Sequence, residues 1–368
     1  MRVALFLPNL AGGGAERVFA LLAEGLAARG VETEMVLARA EGPHVAAVRA
    51  VVPVVDLHAD STRASLLPLA RYLRRRRPDV LVAALAHASI VAVGARWLAR
   101  VDTAVVVTHH LGLSTEKATF DARIWSALRA WFYPRADAIV AVSRDMAVDL
   151  ARSIGVPSDR VEVILNPVIS PDMAERAAAS LEHPWFAPGE PPVVLGIGRL
   201  QPQKDFATLI RAIALVRKER PVRLLVLGEG PDRPELEALV SELGLAEDVQ
   251  LPGFVENPYA YLARAAVFAL SSVYEGLPTV LIEALALGTP VVSTDCPNGP
   301  REILDDGRLG RLVPIGQPAV LAAAIATSLA EPQAPVADER LAPYRQAAAV
   351  ENYLRLFNRV VEARRRPG

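Results

Sequence analysis

Short apolar runs alternate with longer amphipathic segments along the whole chain. In the first half the runs are VALFLP (3–8), VETEMVLA (31–38), VVPVVDL (51–57), DVLVAAL (79–85), TAVVVTH (103–109) and DAIVAVS (137–143). Each reads as a strand of such an alternation. Segments such as AERVFALLAEGLAARG, between the first two runs, repeat their apolar positions at helical spacing. The alternation restarts at PPVVLGIGRL (191–200) and continues through RLLVLGEG (223–230), DVQLPGF (248–254), VFALSS (267–272) and PVVSTD (290–295). Strands alternating with helices predict parallel sheets covered on both faces.

Between the halves, NPVISPDMAERAAASLEHPWFAPGEPP (166–192) is rich in proline and poor in periodicity. We place a first domain at 1–170, a linker at 171–192 and a second domain at 193–345, with a cleft between two βαβ domains. The last segment, 346–368, puts Val350, Tyr353, Leu354, Phe357, Val360 and Val361 on one helical face, which needs a surface to cover.

Within the second domain, YEGLPTVLIEALALGTPVV (274–292) sets Glu275 and Glu283 eight apart in an otherwise apolar stretch. Gly276 and Pro278 break the structure after a strand, Pro278 suits the first position of a helix, and Gly288 with Pro290 stops it. Ligands of parallel sheets collect at the carboxyl ends of strands, where helix amino termini present unpaired N–H groups. Glu283 then lies roughly 9 Å along the helix from the turn, about the span from a ribose to the group beyond its second phosphate. On spacing alone, two solvated surface acids are the better reading.

Composition narrows the field. With 368 residues the chain has room for two cores, and a net charge of −1 argues against a nucleic-acid binder. Residues 1–170 hold 20 Lys and Arg against 16 Asp and Glu, a mild excess that suits an acidic partner or scattered surface charge. Cys296 is the one cysteine, so no intrachain disulfide forms and a reducing, cytoplasmic setting is favoured. The opening MRVALFLPNLAGGG is too short in its apolar part for a signal peptide and reads as a first strand. VLVAALAHASIVAVGA (80–95), interrupted by His87 and Ser89, falls short of a membrane span.

Each half opens with a glycine turn after its first strand. Gly12, Gly13 and Gly14 precede a helix in the first, and Gly198, Arg199 and Lys204 precede a helix near Asp205 in the second. Glycines let a backbone approach a ligand, and two fixed cations neutralise a diphosphate. No Asp-x-Asp and no His or Cys cluster with metal spacing occurs, so no metal or other cofactor is expected.

The motifs GGGAERV, SRDMAVDL, GRLQPQKDFATLIRA, LGEGPDRPELEAL, LPGFVENPY and SSVYEGLPTVLIEALALGTPVVSTDCPNGPREIL, in this order, resemble the group 1 glycosyltransferases of family 4. These are retaining enzymes with the GT-B fold, two facing Rossmann-like domains and a final helix that crosses back to the first. The resemblance runs nearly end to end and includes the family's E-x7-E signature.

It implies transfer of a hexose or N-acetylhexosamine from a nucleoside diphosphate sugar, UDP-linked, to a glycan or polyprenyl-diphosphate-linked acceptor in cell-envelope synthesis. By the same resemblance Glu283 holds the ribose, Arg199 and Lys204 the diphosphate, and Glu275 the donor sugar. The turn Gly276, Leu277, Pro278, Thr279 supplies backbone N–H groups, Pro278 excepted. Phe254 and Val255 meet the base, and Gly13 and Gly14 close over the phosphates. VVVTHHLGLS offers His109 and His110, and the family's His-x-x-Leu-Ser spacing favours His110. Ser143 reads as a helix cap.

Two stretches suit a membrane-bound acceptor and a protein held peripherally at the membrane's inner face. RYLRRRRP (71–78) is a basic run, equally a helix end whose cations suit the dipole. FDARIWSALRAWFYPR (120–135) puts Ile124, Trp125, Leu128, Trp131 and Phe132 on one face with Arg123, Arg129 and Arg135 nearby, a face that packing on the first domain's sheet explains better than lipid contact does. A sugar-nucleotide epimerase and a non-catalytic sugar-nucleotide-binding subunit remain the alternatives.

Overall fold

The computed structural model describes residues 1–11, 13–110, 120–331 and 333–365, without the side chains of 120–123. By contacts the chain divides into two units, Met1–Val168 with Pro343–Gly368, and Ile169–Ala342.

The first unit holds seven parallel strands: β1 (Arg2–Leu7), β2 (Glu32–Leu37), β3 (Val54–Asp56), β4 (Val80–Ala84), β5 (Ala104–His109), β6 (Ala138–Ala141) and β7 (Val161–Val163). Their order across the sheet is β3-β2-β1-β4-β5-β6-β7. The chain winds outward from β1 to β3, then returns to β4 on the other side, so the direction of winding reverses between β1 and β4. The expected strands are present. β7 escapes the pattern because three residues, only Val161 of them buried, carry no periodic signal.

Helix α1 (Gly14–Ala28) lays Val18, Phe19, Leu22 and Leu26 on this sheet. Further along, α2 (Leu66–Arg76), α3 (Ala86–Ala99) and α4 (Phe120–Phe132) pack side by side, α2 against α3 and α3 against α4.

The second unit repeats the plan with β8 (Val193–Ile197), β9 (Arg223–Leu227), β10 (Val249–Gly253), β11 (Val267–Leu270), β12 (Val291–Thr294) and β13 (Arg311–Val313), ordered β10-β9-β8-β11-β12-β13. Its winding reverses between β8 and β11. Helices α5 (Phe206–Glu219) and α6 (Thr279–Ala286) follow those two strands. The short β13 was also not expected.

Residues 171–192, expected as a linker, fold onto this second unit. Met173, Ala177 and Trp185 are buried there, and the Arg264 guanidinium donates to the carbonyls of Ala177 and Ala179, each at 2.9 Å. Proline-rich sequence hid a helix of six residues, Met173–Ala178.

The last helix, α7 (Gln346–Arg365), belongs to the first unit and packs against α1. Val350, Tyr353, Leu356, Phe357 and Val360 enter that unit's core, while Leu354 and Val361 sit at its margin. Gly25 makes the close approach possible, since a Cβ there would fall 2.5 Å from Val350 Cγ2. The Gln346 side-chain amide also donates to the Leu21 carbonyl at 2.7 Å.

Candidate functional site

The residues singled out in the second half all follow the carboxyl ends of strands in one sheet. Gly198, Arg199 and Lys204 come after β8, Phe254 and Val255 after β10, and Glu275 to Thr279 after β11. The first and third groups flank the point where the winding reverses, the usual ligand crevice of such sheets.

Asp205 fixes the β8 loop. It adopts a left-handed backbone and caps α5, its carboxylate accepting from Thr208 N at 3.2 Å and from Thr208 Oγ1 at 2.6 Å. Lys204 is thereby aimed across to the β11 turn, where its Nζ lies 2.6 Å from Glu275 Oε1. Ser272 Oγ donates to the same oxygen at 2.6 Å, and Gln203 Nε2 lies 3.5 Å from Oε2. Backbone contacts join the two loops as well. Val273 N donates to the Gln203 carbonyl at 2.8 Å, Gln203 Nε2 to the Tyr274 carbonyl at 2.9 Å, and Ser271 Oγ to the Lys204 carbonyl at 2.7 Å. Glu275 and Lys204 are thus held before any ligand arrives, whereas the Arg199 side chain is exposed to solvent.

The turn that follows is equally constrained. Glu275 N donates to Pro297 O at 3.1 Å, and Gly299 (φ +102°) packs so closely that a Cβ would lie 2.5 Å from Pro278 Cδ. Pro278 stands just before α6 rather than inside it, because its ψ of 90° is not helical. No side chain caps α6, so its first N–H groups and positive dipole end face whatever lies at the turn. Glu283 comes four residues after Thr279, about 6 Å along the axis, shorter than the span expected from a helix begun at Pro278. It is buried among Leu281, Ile282, Ala284 and Leu285, an environment that a carboxylate with no binding or structural task does not occupy. Gly276, Leu277 and Pro278 are buried, Val255 is half-buried and Phe254 is exposed.

Cys296 is buried beside this network. Burial first, and the Glu275 charge second, push its thiol up to about 12, so it stays protonated and acts as packing.

In the first unit, Gly13 is the N-cap of α1 and Gly14 its first residue, directly after β1 at that sheet's reversal point; Gly12 lies outside the described residues. His109 ends β5 and His110 follows it. The two imidazoles meet different neighbours. His109 stands 6.3 Å from the Tyr133 ring, His110 edge-on at 5.7 Å to Phe19 of α1, the helix that the glycines begin. His110 thus touches the glycine-led helix through Phe19. Thr108 Oγ1 lies 3.2 Å from the Ala83 carbonyl and 2.9 Å from His110 Nε2. Burial lowers the His110 pKa to about 3, with the neighbouring His109 adding to the effect, so the ring is neutral near pH 7. Leu111 to Ser114, which complete the motif, lie outside the described residues. Ser143 caps its helix, accepting from Met146 N at 3.3 Å.

Ser272, Gln203 and Thr294 were not anticipated. Thr294 Oγ1 donates to the Ser272 carbonyl at 2.6 Å, fixing the serine that fixes Glu275. The available signal was a hydroxyl residue at the polar end of two adjacent apolar strands.

Residues 191–331 match the family described as glycosyl transferases group 1, and residues 12–170 match glycosyltransferase family 4. The lipopolysaccharide core biosynthesis glycosyltransferase LpsE of Rhizobium meliloti is 30% identical over 323 residues, 87% of this chain and 86% of the relative. An N-acetylgalactosamine-N,N'-diacetylbacillosaminyl-diphospho-undecaprenol 4-alpha-N-acetylgalactosaminyltransferase of Campylobacter jejuni is 29% identical over 330 residues, covering 85% of this chain and 86% of that one. Among solved structures, Anabaena HepE in complex with UDP and glucose superposes with a TM-score of 0.80 at 21% identity, covering 97% and 99% of the two chains. Sucrose-phosphate synthase from Thermosynechococcus elongatus gives 0.80 at 21% identity over 99% and 100%. The two structural likenesses bear on the fold alone.

Proposed function

The chain belongs to the group 1 glycosyltransferases of family 4, with the GT-B fold, and from that membership we propose that it moves a hexose or N-acetylhexosamine from a UDP-sugar to a hydroxyl of a lipid-linked glycan, with anomeric retention. The observation that carries the reading is the pairing of Lys204 with Glu275 beside the uncapped start of α6, with Arg199 on the same loop. The bound diphosphate lies against the α6 N–H groups, Arg199 and the Lys204 ammonium, which has donors to spare beyond the one given to Glu275. Glu283 accepts from the ribose hydroxyls and Glu275 from the donor sugar. No metal takes part, so these cations and N–H groups stabilise the leaving UDP.

As the sugar–phosphate bond lengthens, negative charge grows on the departing oxygen, and these fixed positive groups stabilise it without reorganising. The acceptor hydroxyl attacks from the same face, and its proton passes to that oxygen, so retention follows from holding the leaving group next to the nucleophile. The acceptor class follows the Campylobacter jejuni relative, whose name describes an undecaprenyl-diphosphate-linked saccharide.

A panel of nucleotide sugars with and without undecaprenyl-diphosphate-linked saccharides tests this. UDP release that depends on acceptor, with an α-linked product by NMR from an α-linked donor, is expected. Interconversion of the donor without UDP release identifies an epimerase, and binding without either reaction identifies a non-catalytic subunit.

A further inference from the structure

Three segments, residues 61–78, 80–101 and 122–136, contain eleven arginines and no aspartate or glutamate. They span α2, α3 and most of α4, which the fold sets side by side.

The part of this surface open to solvent is apolar and aromatic as well as basic. Leu67 is 55% exposed, Trp97 40%, Leu98 41%, Ile124 44% and Trp131 46%. Trp97 of α3 meets Trp131 of α4 edge-on at 5.2 Å, so the two indoles form one exposed cluster across the helices. The Arg135 guanidinium lies 4.2 Å from the Trp131 ring centre, and Arg63 lies 4.5 Å from that of Trp125. Arg74 donates to the carbonyls of Leu98 and Ala99, tying the basic run of α2 to the end of α3.

The basic run at 71–78 and the aromatic stretch at 120–135 are therefore parts of one surface. The aromatic face of α4 is divided, with Trp125, Leu128 and Phe132 half-buried and Ile124 and Trp131 exposed. Arg129, expected at its flank, is buried. The basic run is divided too. Arg76 pairs with Glu34, while Arg71, Arg75, Arg77 and Arg100 are exposed and make no ion pair among the described residues.

We propose that the Leu67, Trp97, Leu98, Ile124 and Trp131 surface, with Arg71 and Arg75 beside it, docks on an anionic lipid bilayer. Indoles and leucines enter the headgroup boundary, where an amphipathic ring has both apolar and polar neighbours, and unpaired guanidiniums meet lipid phosphates. Exposed indoles of two neighbouring helices beside unpaired guanidiniums are the pattern of a surface that lies in the headgroup boundary of an anionic bilayer. The docking is separate from the transfer chemistry and is read without donor or acceptor, so its failure leaves the proposed reaction untouched.

The test is co-sedimentation of the full chain with vesicles of about three parts phosphatidylcholine to one of phosphatidylglycerol, against phosphatidylcholine alone. Binding to the anionic vesicles only is expected, weakened by roughly thirtyfold or more in R71E/R75E, whose side chains are exposed and unpaired, so that folding is preserved. Brominated phosphatidylcholine in the same anionic vesicles should quench tryptophan fluorescence in the wild type and in W185F, but much less in W97F/W131F. Equal binding to neutral vesicles, unchanged binding by R71E/R75E, quenching that survives W97F/W131F, self-association that accounts for the sedimentation, or displacement of the vesicles by nucleic acid would each overturn the proposal.

Discussion

Lys204 and Glu275, 71 positions apart in sequence, form an ion pair at 2.6 Å with 16% and 7% of their side chains exposed. The pair joins the loops on either side of the sheet's reversal point, so the group assigned to the diphosphate and the group assigned to the sugar are held in one contact. Its members cannot be removed independently, because each neutralises the other in surroundings that solvate charge poorly.

For K204M we expect kcat to fall by about 2–4 kcal/mol in barrier, together with a lower melting temperature caused by the unpaired Glu275 carboxylate. K204M/E275Q recovers much of the melting temperature, since no lone buried charge remains, but not the turnover. UDP-release kinetics and thermal unfolding on the same preparations distinguish the two effects, and near-normal turnover in K204M removes the lysine from the chemistry.

Glu283→Ala tests the other acid. A hydrogen bond to a charged group contributes about 1.5–3 kcal/mol, so calorimetry should show UDP binding weakened by roughly 10–100-fold. Unchanged affinity would take Glu283 out of the nucleotide site.

His110 predicts a pH effect on stability. Its folded pKa of about 3 lies below the ordinary 6.5, so between these values the unfolded chain takes up a proton that the folded chain refuses. The His110 contribution is present above pH 6.5 and is lost as pH falls from 6.5 towards 3, by an amount on the order of a few kcal/mol. Urea midpoints at pH 7.5 and 5.0 should differ less in H110N than in wild type. Activity should also fall more in H110A than in H109A, and equal retention would leave both imidazoles structural.

Gly299→Ala should disturb the turn before α6 by pushing a methyl group against Pro278. Gly307→Ala is its control, for Gly307 is also left-handed (φ +88°) but has no atom closer than 3.6 Å to an added Cβ. Both should lose about 1–3 kcal/mol of stability to backbone strain, while only Gly299→Ala loses UDP affinity by calorimetry.

Alternating apolar runs made eleven of the strands legible, along with the two-unit plan and the face of α7, because buried parallel strands leave continuous apolar sequence. β7 is interrupted by Glu162 and β13 begins with Arg311, whereas the equally short β3 lies inside the apolar run at 51–57. E-x7-E with GRLQPQK pointed to Lys204 and Glu275 separately, but their contact depends on β8 and β11 being neighbours, which no local pattern states. Ser272 and Thr294 were hidden for the opposite reason: a hydroxyl at a strand end is too common to single out until its partner is seen. The helix within 171–192 was masked by the prolines around it.

The return of α7 to the first unit sets an order of events during synthesis. The first 168 residues leave the ribosome early, but the α1 surface that Val350, Tyr353 and Phe357 cover stays wet until some 190 more have followed. At 5–20 residues per second that wait is roughly 10–40 s, ample for the uninterrupted 169–342 segment to form its own core. The unit begun first is the unit finished last, and in the interval its apolar α1 face stays uncovered.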